Sequence, residues 1–276
     1  DGEPVDIESL RDEETEASFV AMTILRMQKE YPDFADFAIL YRTNAQSYTF
    51  EKAFINLRIP YKIVGGVRFY DRKEVKDVLA ILKLIVNGRD KVSLERIAKN
   101  VLSGIGEVSL ARLLMAIDSM NFSSPLLDPD LPEILTTTKA RNGLMRLVQF
   151  LRSVARDENP GEIVKKIVVY FDFRKLTDDG TPSGEERMSN LEVLAGNAAQ
   201  YENLEDFLAD ATLMSSADEA SGQNAVTLMT MHAAKGLEFP VVFLVGMEDG
   251  LFPSSRAEEE AALEEERRLA YVGMTR

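Results

Sequence analysis

The chain has 276 residues, no cysteine, and a formal net charge of −14 from 32 basic and 46 acidic residues. The lack of cysteine excludes disulfides and cysteine-ligated zinc, and no stretch approaches the roughly 18 apolar residues that span a bilayer. The acidic balance counts against a surface that binds nucleic acid throughout, although a local groove can carry the opposite sign. We expect a soluble cytoplasmic protein without a membrane partner, long enough for two domains.

The first 64 residues alternate between helical and strand patterns. Apolar residues at helical spacing predict a helix over residues 12–30, and an apolar run predicts a buried strand over 37–41. A second helix is predicted over 47–57, and a second strand over 61–64. Alternation of this kind predicts a parallel sheet.

From Arg72 to about residue 216 the pattern is helical throughout. The apolar positions between Val75 and Val86 predict a strongly amphipathic helix. Loops rich in Pro, Gly, Ser and Asp separate the next helices (residues 123–132 and 177–184), and a polar linker over 215–224 ends the region. Further helices are predicted over 93–102, 107–118, 139–157, 161–172, 185–200 and 203–215.

Strand patterns return over residues 226–231 and 240–245, and a last helix is predicted over 263–272. Each α/β piece is too small to make a full sheet alone. The sequence therefore predicts the α/β class, with one parallel-sheet domain built from both ends of the chain and an all-helical domain inserted into it.

The loop between the last two strands holds a compact set of polar groups. Because ligands bind at the mouth of open parallel sheets, we expect a site there. His232 is the only histidine, and a structural hydrogen bond within the loop is its plainer interpretation. Without cysteine or HExxH spacing it does not predict a metal site. The polar set is Thr230, His232, Lys235, Gly236 and Glu238.

Three other segments carry candidate residues. Thr43, Asn44 or Ser47 could bind a ligand after the first strand or simply cap the next helix. Arg72 belongs to a basic cluster with interleaved aromatics, which is also typical of a solvated helix start. The sequence Gly104-Ile105-Gly106 precedes a helix, where free N–H groups suit a phosphate, although such a turn is most often only a connection.

Five segments, in this order, resemble motifs of the UvrD/PcrA/Rep superfamily 1 DNA helicases. The resemblance implies a RecA-like motor domain, 2A, over residues 1–72 and 221–276, incomplete in this chain. It implies a helical domain, 2B, over residues 73–220. The segments are residues 40–47, 65–77, 103–110, 227–246 and 264–276.

The resemblance also implies roles for individual residues. Glu238 would hydrogen-bond the ribose of ATP, and Arg276 would act as an arginine finger on the γ-phosphate. DNA contacts are implied for Asn44, Thr230, His232, Arg72 and the residues Gly104, Ile105 and Gly106. The chain departs from the family pattern at Tyr48, which replaces an arginine and could stack on a base, and at Ser103, which replaces a basic residue.

The implied function is the C-terminal portion of an ATP-dependent helicase that moves 3′ to 5′ on DNA. The chain contains no G-x-x-x-x-G-K-[ST] loop and no Asp-Glu metal motif that follows a strand. We therefore expect the Mg²⁺ ligands in an N-terminal motor domain of the same protein, and no activity from this chain alone. Expected partners are single-stranded and junction DNA, with repair or replication proteins as candidates. The alternatives are a non-motor module that binds DNA or protein, and part of a helicase-nuclease subunit.

Overall fold

The computed structural model describes residues 5–121, 124–155, 157–177, 182–216, 224–254, 257 and 259–276. The chain forms two compact units, one from Asp1–Phe69 with Ser216–Arg276 and one from Tyr70–Ser215. Most of the predicted linker 215–224, and parts of the predicted loops 123–132 and 177–184, lie outside the described residues. Among the described residues, no helix has the length and apolar character needed to cross a membrane.

The elements follow the predicted order closely. The strands are β1 (Phe37–Tyr41), β2 (Tyr61–Val64), β3 (Val226–Thr230) and β4 (Val241–Leu244). The α-helices are α1 (Glu13–Met27), α2 (Ser47–Leu57), α3 (Lys73–Val86), α4 (Lys91–Asn100), α5 (Glu107–Ser119), α6 (Thr138–Ser153), α7 (Pro160–Tyr170), α8 (Phe173–Thr177), α9 (Pro182–Ala198), α10 (Leu204–Ser216) and α11 (Glu260–Met274).

The first unit contains the sheet, with strand order β2-β3-β1-β4 and parallel pairing throughout. Tyr41 at the end of β1 is paired with Thr230 at the end of β3, and Phe37 at its start is paired with Val241 at the start of β4. The carboxyl ends of the strands therefore meet at one edge. The predicted α/β class, with a parallel sheet, is confirmed.

The two faces of β1 pack against different helices, because successive side chains of a strand point to opposite sides. Ile39 and its same-face neighbours pack with α1 and α2, whereas Leu40 packs with Leu269 of α11. Phe54 of α2 is fully buried, and burial of a side chain of this size stabilises the fold by about 1.5–3 kcal/mol. The sheet is thus covered by helices on both faces.

The second unit is helical in its described residues. α3 packs against α4, α7 and α9, and its apolar residues Val75, Val78 and Leu82 are fully buried, as the amphipathic pattern predicts. The predicted helix 139–157 stops at Ser153, because Val154 adopts an extended conformation. The short helix α8 was not predicted. In the first unit, α11 begins at Glu260 rather than at residue 263, with an acidic side chain at the helix N-terminus that the helix dipole favours.

Candidate functional site

Three loops that follow β1, β2 and β3 come together at the carboxyl edge of the sheet. A methyl group placed on Gly66 would lie 3.2 Å from Oδ1 of Asn44, and one placed on Gly65 would lie 3.4 Å from Cβ of Ala233. Asn44 follows β1, the two glycines follow β2, and Ala233 follows β3. The structure therefore brings Asn44 close to the loop that carries His232.

The loop after β1 is held by the side chain of Gln46. Its Oε1 accepts hydrogen bonds from the backbone N–H of Arg42 at 3.0 Å and of Thr43 at 2.9 Å. Thr43 precedes a short 3₁₀ turn over Asn44–Gln46, and this turn leads into α2. Capping here thus uses Thr43 and Gln46, and Ser47 donates instead to the buried carboxylate of Glu51 at 2.7 Å.

The loop after β3 begins with a turn at Thr230. The Thr230 carbonyl accepts from the N–H of Ala233 at 2.9 Å, and its Oγ1 accepts from the same N–H at 3.3 Å. His232 at the tip of this turn is exposed, and within the described part of the chain its ring makes no hydrogen bond. The structure does not support the alternative in which His232 is a structural hydrogen-bonding residue, and it leaves the imidazole accessible to a ligand.

Glu238 and Arg276 lie together in a different place, although 38 positions separate them in the sequence. The N–H of Phe239 donates to the carbonyl of Arg276 at 3.1 Å. The Arg276 guanidinium donates to the carbonyl of Leu237 through Nη1 at 3.4 Å and to that of Val272 through Nε at 2.9 Å. Both neighbours of Glu238 therefore contact Arg276. Glu238 itself is exposed, so a carboxylate and a guanidinium share one accessible surface.

The polar groups predicted to share one mouth of the sheet are in fact divided between its two edges. Thr230 ends β3 at the carboxyl edge, whereas Glu238 lies just before Val241, where β4 starts at the amino edge. Because β3 and β4 are both parallel to β1, the connecting loop must travel the length of the strands to reach the start of β4. The expectation that His232 and Glu238 line the same mouth is wrong for this reason.

The loop Gly104-Ile105-Gly106 joins α4 to α5 in the helical unit. Gly104 has φ of +87°, and a Cβ there would lie 2.8 Å from the backbone carbon of Lys139, so only glycine fits. Gly106 is the N-cap of α5, and Ile105 is buried. The loop borders an open cleft of about 540 Å³. Its charge is mixed, because Lys99 and Glu107 both line it.

Two residues with expected DNA contacts are buried. Arg72 is 6 % exposed, and its Nη1 donates to Oδ1 of Asn190 at 2.7 Å inside the helical unit. Tyr48 is 5 % exposed and its ring packs against Phe69, with 4.7 Å between centroids. A side chain covered by protein is not accessible to a phosphate or a base. The structure thus gives no support for an Arg72–DNA contact or for base stacking on Tyr48.

Burial raises the pKa of Glu16, whose carboxylate lies at the carboxyl edge of β4. The negative charges of Glu248 and Glu13 also raise this pKa. One contact acts in the opposite direction: the Oε1 atom accepts a hydrogen bond from the N–H of Gly246 at 3.0 Å, which lowers the pKa. The structure also bears on metal binding. The described residues contain no group of three or more His, Asp or Glu side chains that could hold a metal ion.

Comparison with known proteins gives one family across the whole chain. The UvrD-like helicase C-terminal domain family matches residues 1–276. The chain is 37% identical to the ATP-dependent DNA helicase PcrA of Leuconostoc citreum over an alignment 289 residues long, which covers 96% of this chain and 38% of the relative. It is also 37% identical to PcrA of Staphylococcus epidermidis over 279 residues, covering 96% of this chain and 38% of the relative.

PcrA of Staphylococcus aureus is 36% identical over an alignment 290 residues long, which covers 100% of this chain. The same match covers only 40% of that protein. The chain therefore spans about two fifths of the length of the curated relatives that it matches. Since the family match includes every residue, the chain belongs to the UvrD-like helicase C-terminal domain family.

Proposed function

We propose that the chain is the second motor domain and the helical insertion of an ATP-dependent DNA helicase that moves 3′ to 5′ on single strands. The observation that carries this proposal is the division of the candidate residues between the two edges of one sheet. Glu238 and Arg276 meet at the amino edge, and Asn44 and the His232 loop meet at the carboxyl edge. A motor needs separate surfaces for nucleotide and track within one rigid body, and this arrangement supplies them.

At the nucleotide surface we assign ATP to exposed Glu238 and half-buried Arg276. The carboxylate accepts a hydrogen bond from a ribose hydroxyl, and the guanidinium stabilises the charge that develops on the transferred phosphoryl group. The donor set fits a nucleotide, because it offers one acceptor for the sugar and one fork of donors for phosphate oxygens. We assign the Mg²⁺ ligands and the phosphate-binding loop to a first motor domain outside this chain.

At the strand surface we assign Asn44, Thr230 and His232 to single-stranded DNA. Amide and hydroxyl groups bind phosphate or sugar oxygens without reading the sequence, and the exposed imidazole of His232 can also lie against a base. These contacts suit a track-following protein with a net charge of −14, because they need few lysines or arginines. Arg72 is left out of this assignment because it is buried.

In the helical domain we assign Gly104, Ile105 and Gly106 to the duplex backbone. Gly104 and Gly106 are exposed, and the first N–H groups of α5 follow directly. Backbone N–H groups at a helix start favour an anion such as a phosphate. This contact would hold the duplex side of a junction, while the sheet domain holds the single strand.

We propose domain 2A over residues 1–72 and 221–276, and domain 2B over residues 73–220. The division into compact units at Phe69/Tyr70 and Ser215/Ser216 supports boundaries near these positions. In the mechanism, ATP binds between the first motor domain and the amino edge of this sheet. Closure of that cleft moves the carboxyl edge, with its bound strand, by one step.

The test compares the chain alone with a longer protein that also carries the first motor domain. We expect DNA-stimulated ATP hydrolysis and 3′-to-5′ unwinding only from the longer protein, and single-strand binding that weakens as salt rises. DNA-stimulated hydrolysis by the chain alone would contradict the assignment of the phosphate loop elsewhere. DNA binding by the longer protein without any ATP hydrolysis would instead favour a non-motor module.

A further inference from the structure

An ion pair between Arg42 and Glu266 joins the end of β1 to α11. Nε of Arg42 lies 3.1 Å from each carboxylate oxygen of Glu266, and Nη2 lies 2.8 Å from Oε1. Glu266 is 8 % exposed and its Oε2 also accepts from the N–H of Ser254 at 3.3 Å. Two planar groups joined at several points allow only one relative orientation, so the pair fixes α11 against the end of β1.

The pair lies directly beside the loop assigned to the single strand. Arg42 precedes Thr43 and Asn44, and the N–H groups of both Arg42 and Thr43 donate to Gln46. Arg42 therefore lies between β1 on one side and, on the other, the loop assigned to single-stranded DNA. A displacement of α11 at Glu266 would therefore act on Arg42, two residues before Asn44.

α11 and the two residues after it have partners near both edges of the sheet. From Glu266 to its end at Met274 the helix rises roughly 12 Å. A Cβ on Gly273 would lie 2.6 Å from Cδ2 of Leu244, so the helix approaches β4 closely and has little freedom to slide. Beyond the end of the helix, the carbonyl of Arg276 accepts a hydrogen bond from the N–H of Phe239, the residue after Glu238.

We propose that Arg42 and Glu266 are positioning residues that couple the nucleotide surface at Arg276 to the strand surface at Asn44, with α11 as the connecting element. This inference rests on the proposed function, since it needs ATP at one edge and DNA at the other. A largely buried ion pair adds little net stability compared with an apolar contact. Its specific contribution is orientation, and orientation is what coupling between two distant surfaces requires.

The experiment measures coupling as an equilibrium quantity in the longer protein with both motor domains. The affinity for single-stranded DNA is determined with and without a non-hydrolysable ATP analogue, and the ratio is the coupling factor. Glu266→Gln keeps the size of the side chain but removes its charge, and Arg42→Lys keeps the charge but removes the planar fork. Glu264→Gln is the matched control, because Glu264 is on the same helix and pairs only with exposed Arg267 and Arg268 among the described residues.

We expect Glu266→Gln to bring the coupling factor toward one, with a reduction of about 5-fold or more where the parent factor permits it. Arg42→Lys should lose part of the factor, and Glu264→Gln should retain it. A melting temperature measured for each variant separates this effect from stability. A lower melting temperature with an unchanged coupling factor in both Glu266→Gln and Arg42→Lys would show a purely structural pair and overturn the inference. A parent protein without ATP-dependent DNA affinity would refute the proposed function itself, and this inference with it.

Discussion

The backbone N–H of Phe239 donates to the carbonyl oxygen of Arg276 across 3.1 Å, which ties the residue after Glu238 to the end of the chain. The contact closes the space between the start of β4 and the end of α11. It holds one acidic and one basic side chain on a common surface without an ion pair between them in the described structure. The backbone, rather than an ion pair, therefore keeps the two residues together.

Replacement of Arg276 by alanine should abolish DNA-stimulated ATP hydrolysis in the longer protein. An arginine that stabilises a transferring phosphoryl group contributes on the order of 10³-fold or more to kcat. Arg276→Lys should recover little, because a single ammonium cannot reproduce the planar fork. Steady-state ATPase assays at saturating DNA provide the measurement, and Arg267→Ala serves as the control, because Arg267 is exposed on α11, the helix that precedes Arg276.

The contrast with Glu238→Ala sharpens this prediction. A ribose contact is made equally in the ground state and the transition state, so its loss should raise KM for ATP and leave kcat largely intact. Arg276 variants should show the opposite split. Equal effects on kcat and KM for the two residues would contradict the separate roles assigned to them.

Replacement of Asn44 by alanine should weaken binding of single-stranded DNA by roughly 10- to 100-fold, since a hydrogen bond to a charged group is worth about 1.5–3 kcal/mol. Asn224 provides a matched control of the same residue type in the same unit. Its side chain serves a structural role, because Oδ1 accepts from the N–H of Ala35 and Nδ2 donates to Asp33. It also precedes β3, at the opposite edge of the sheet from Asn44.

Fluorescence anisotropy with a short single strand at several salt concentrations measures this effect. Because Asn44 carries no charge, the loss of affinity should be similar at each salt concentration, with little change in the salt slope. If Asn224→Ala weakened binding as much as Asn44→Ala, the carboxyl edge would not be the strand surface.

The elements of the fold follow from hydrophobic periodicity, whereas the distribution of the site follows from the direction and pairing of the strands. The runs at residues 37–41 and 226–230 predict buried strands on their own. Because β3 and β4 run in the same direction, His232 follows the end of one strand and Glu238 precedes the start of the other. Nothing in the local pattern shows that β1 lies between these two strands. Residue type and neighbouring sequence suggested the site residues, but not which of them share a surface.

Burial explains the other expectations that the structure does not support. Arg72 belongs to a basic cluster in sequence, yet Asn190 from α9, 118 positions later, binds its guanidinium. The pairing of Arg42 with Glu266 joins residues 224 positions apart, and was missed for the same reason. Such partners depend on how helices pack, and the pattern of a single sequence gives no signal for them.

Replacement of Gly104 by alanine should destabilise the helical unit, whereas Gly106→Ala should be tolerated. Gly104 has φ of +87°, and its new Cβ would meet the backbone of Lys139 at 2.8 Å. Backbone strain alone costs about 1–3 kcal/mol at such a position. At Gly106, φ is −83° and nothing lies within 4 Å of the added methyl group.

Thermal or urea unfolding of the chain measures both variants. We expect a lower midpoint for Gly104→Ala and a smaller loss, of about 1 kcal/mol or less, for Gly106→Ala, because alanine is a poorer N-cap than glycine but meets no steric clash there. Gly106→Ala is therefore the variant with which to probe the proposed duplex contact. Equal stability of the two variants would contradict the geometry of this loop.

Removal of the charge at Glu16 should stabilise the sheet unit increasingly as pH rises. Burial raises the pKa of Glu16 above its usual value of 4.5, so the folded state holds a proton that the unfolded state releases. The contribution of this group to stability is thus fully present below about pH 4.5 and is lost as pH rises through the higher folded pKa. Glu16→Gln keeps an acceptor for the N–H of Gly246 and carries no charge at any pH.

Urea unfolding from pH 4 to pH 8 gives the difference in unfolding free energy between Glu16→Gln and the parent. The difference should be smallest near pH 4 and should increase in favour of Glu16→Gln through the window above 4.5. Glu30→Gln controls for the loss of one carboxylate from the protein as a whole, because Glu30 is exposed beyond the end of α1. A difference that stays constant or decreases over this range would mean that the Gly246 hydrogen bond, rather than burial, controls the Glu16 carboxylate.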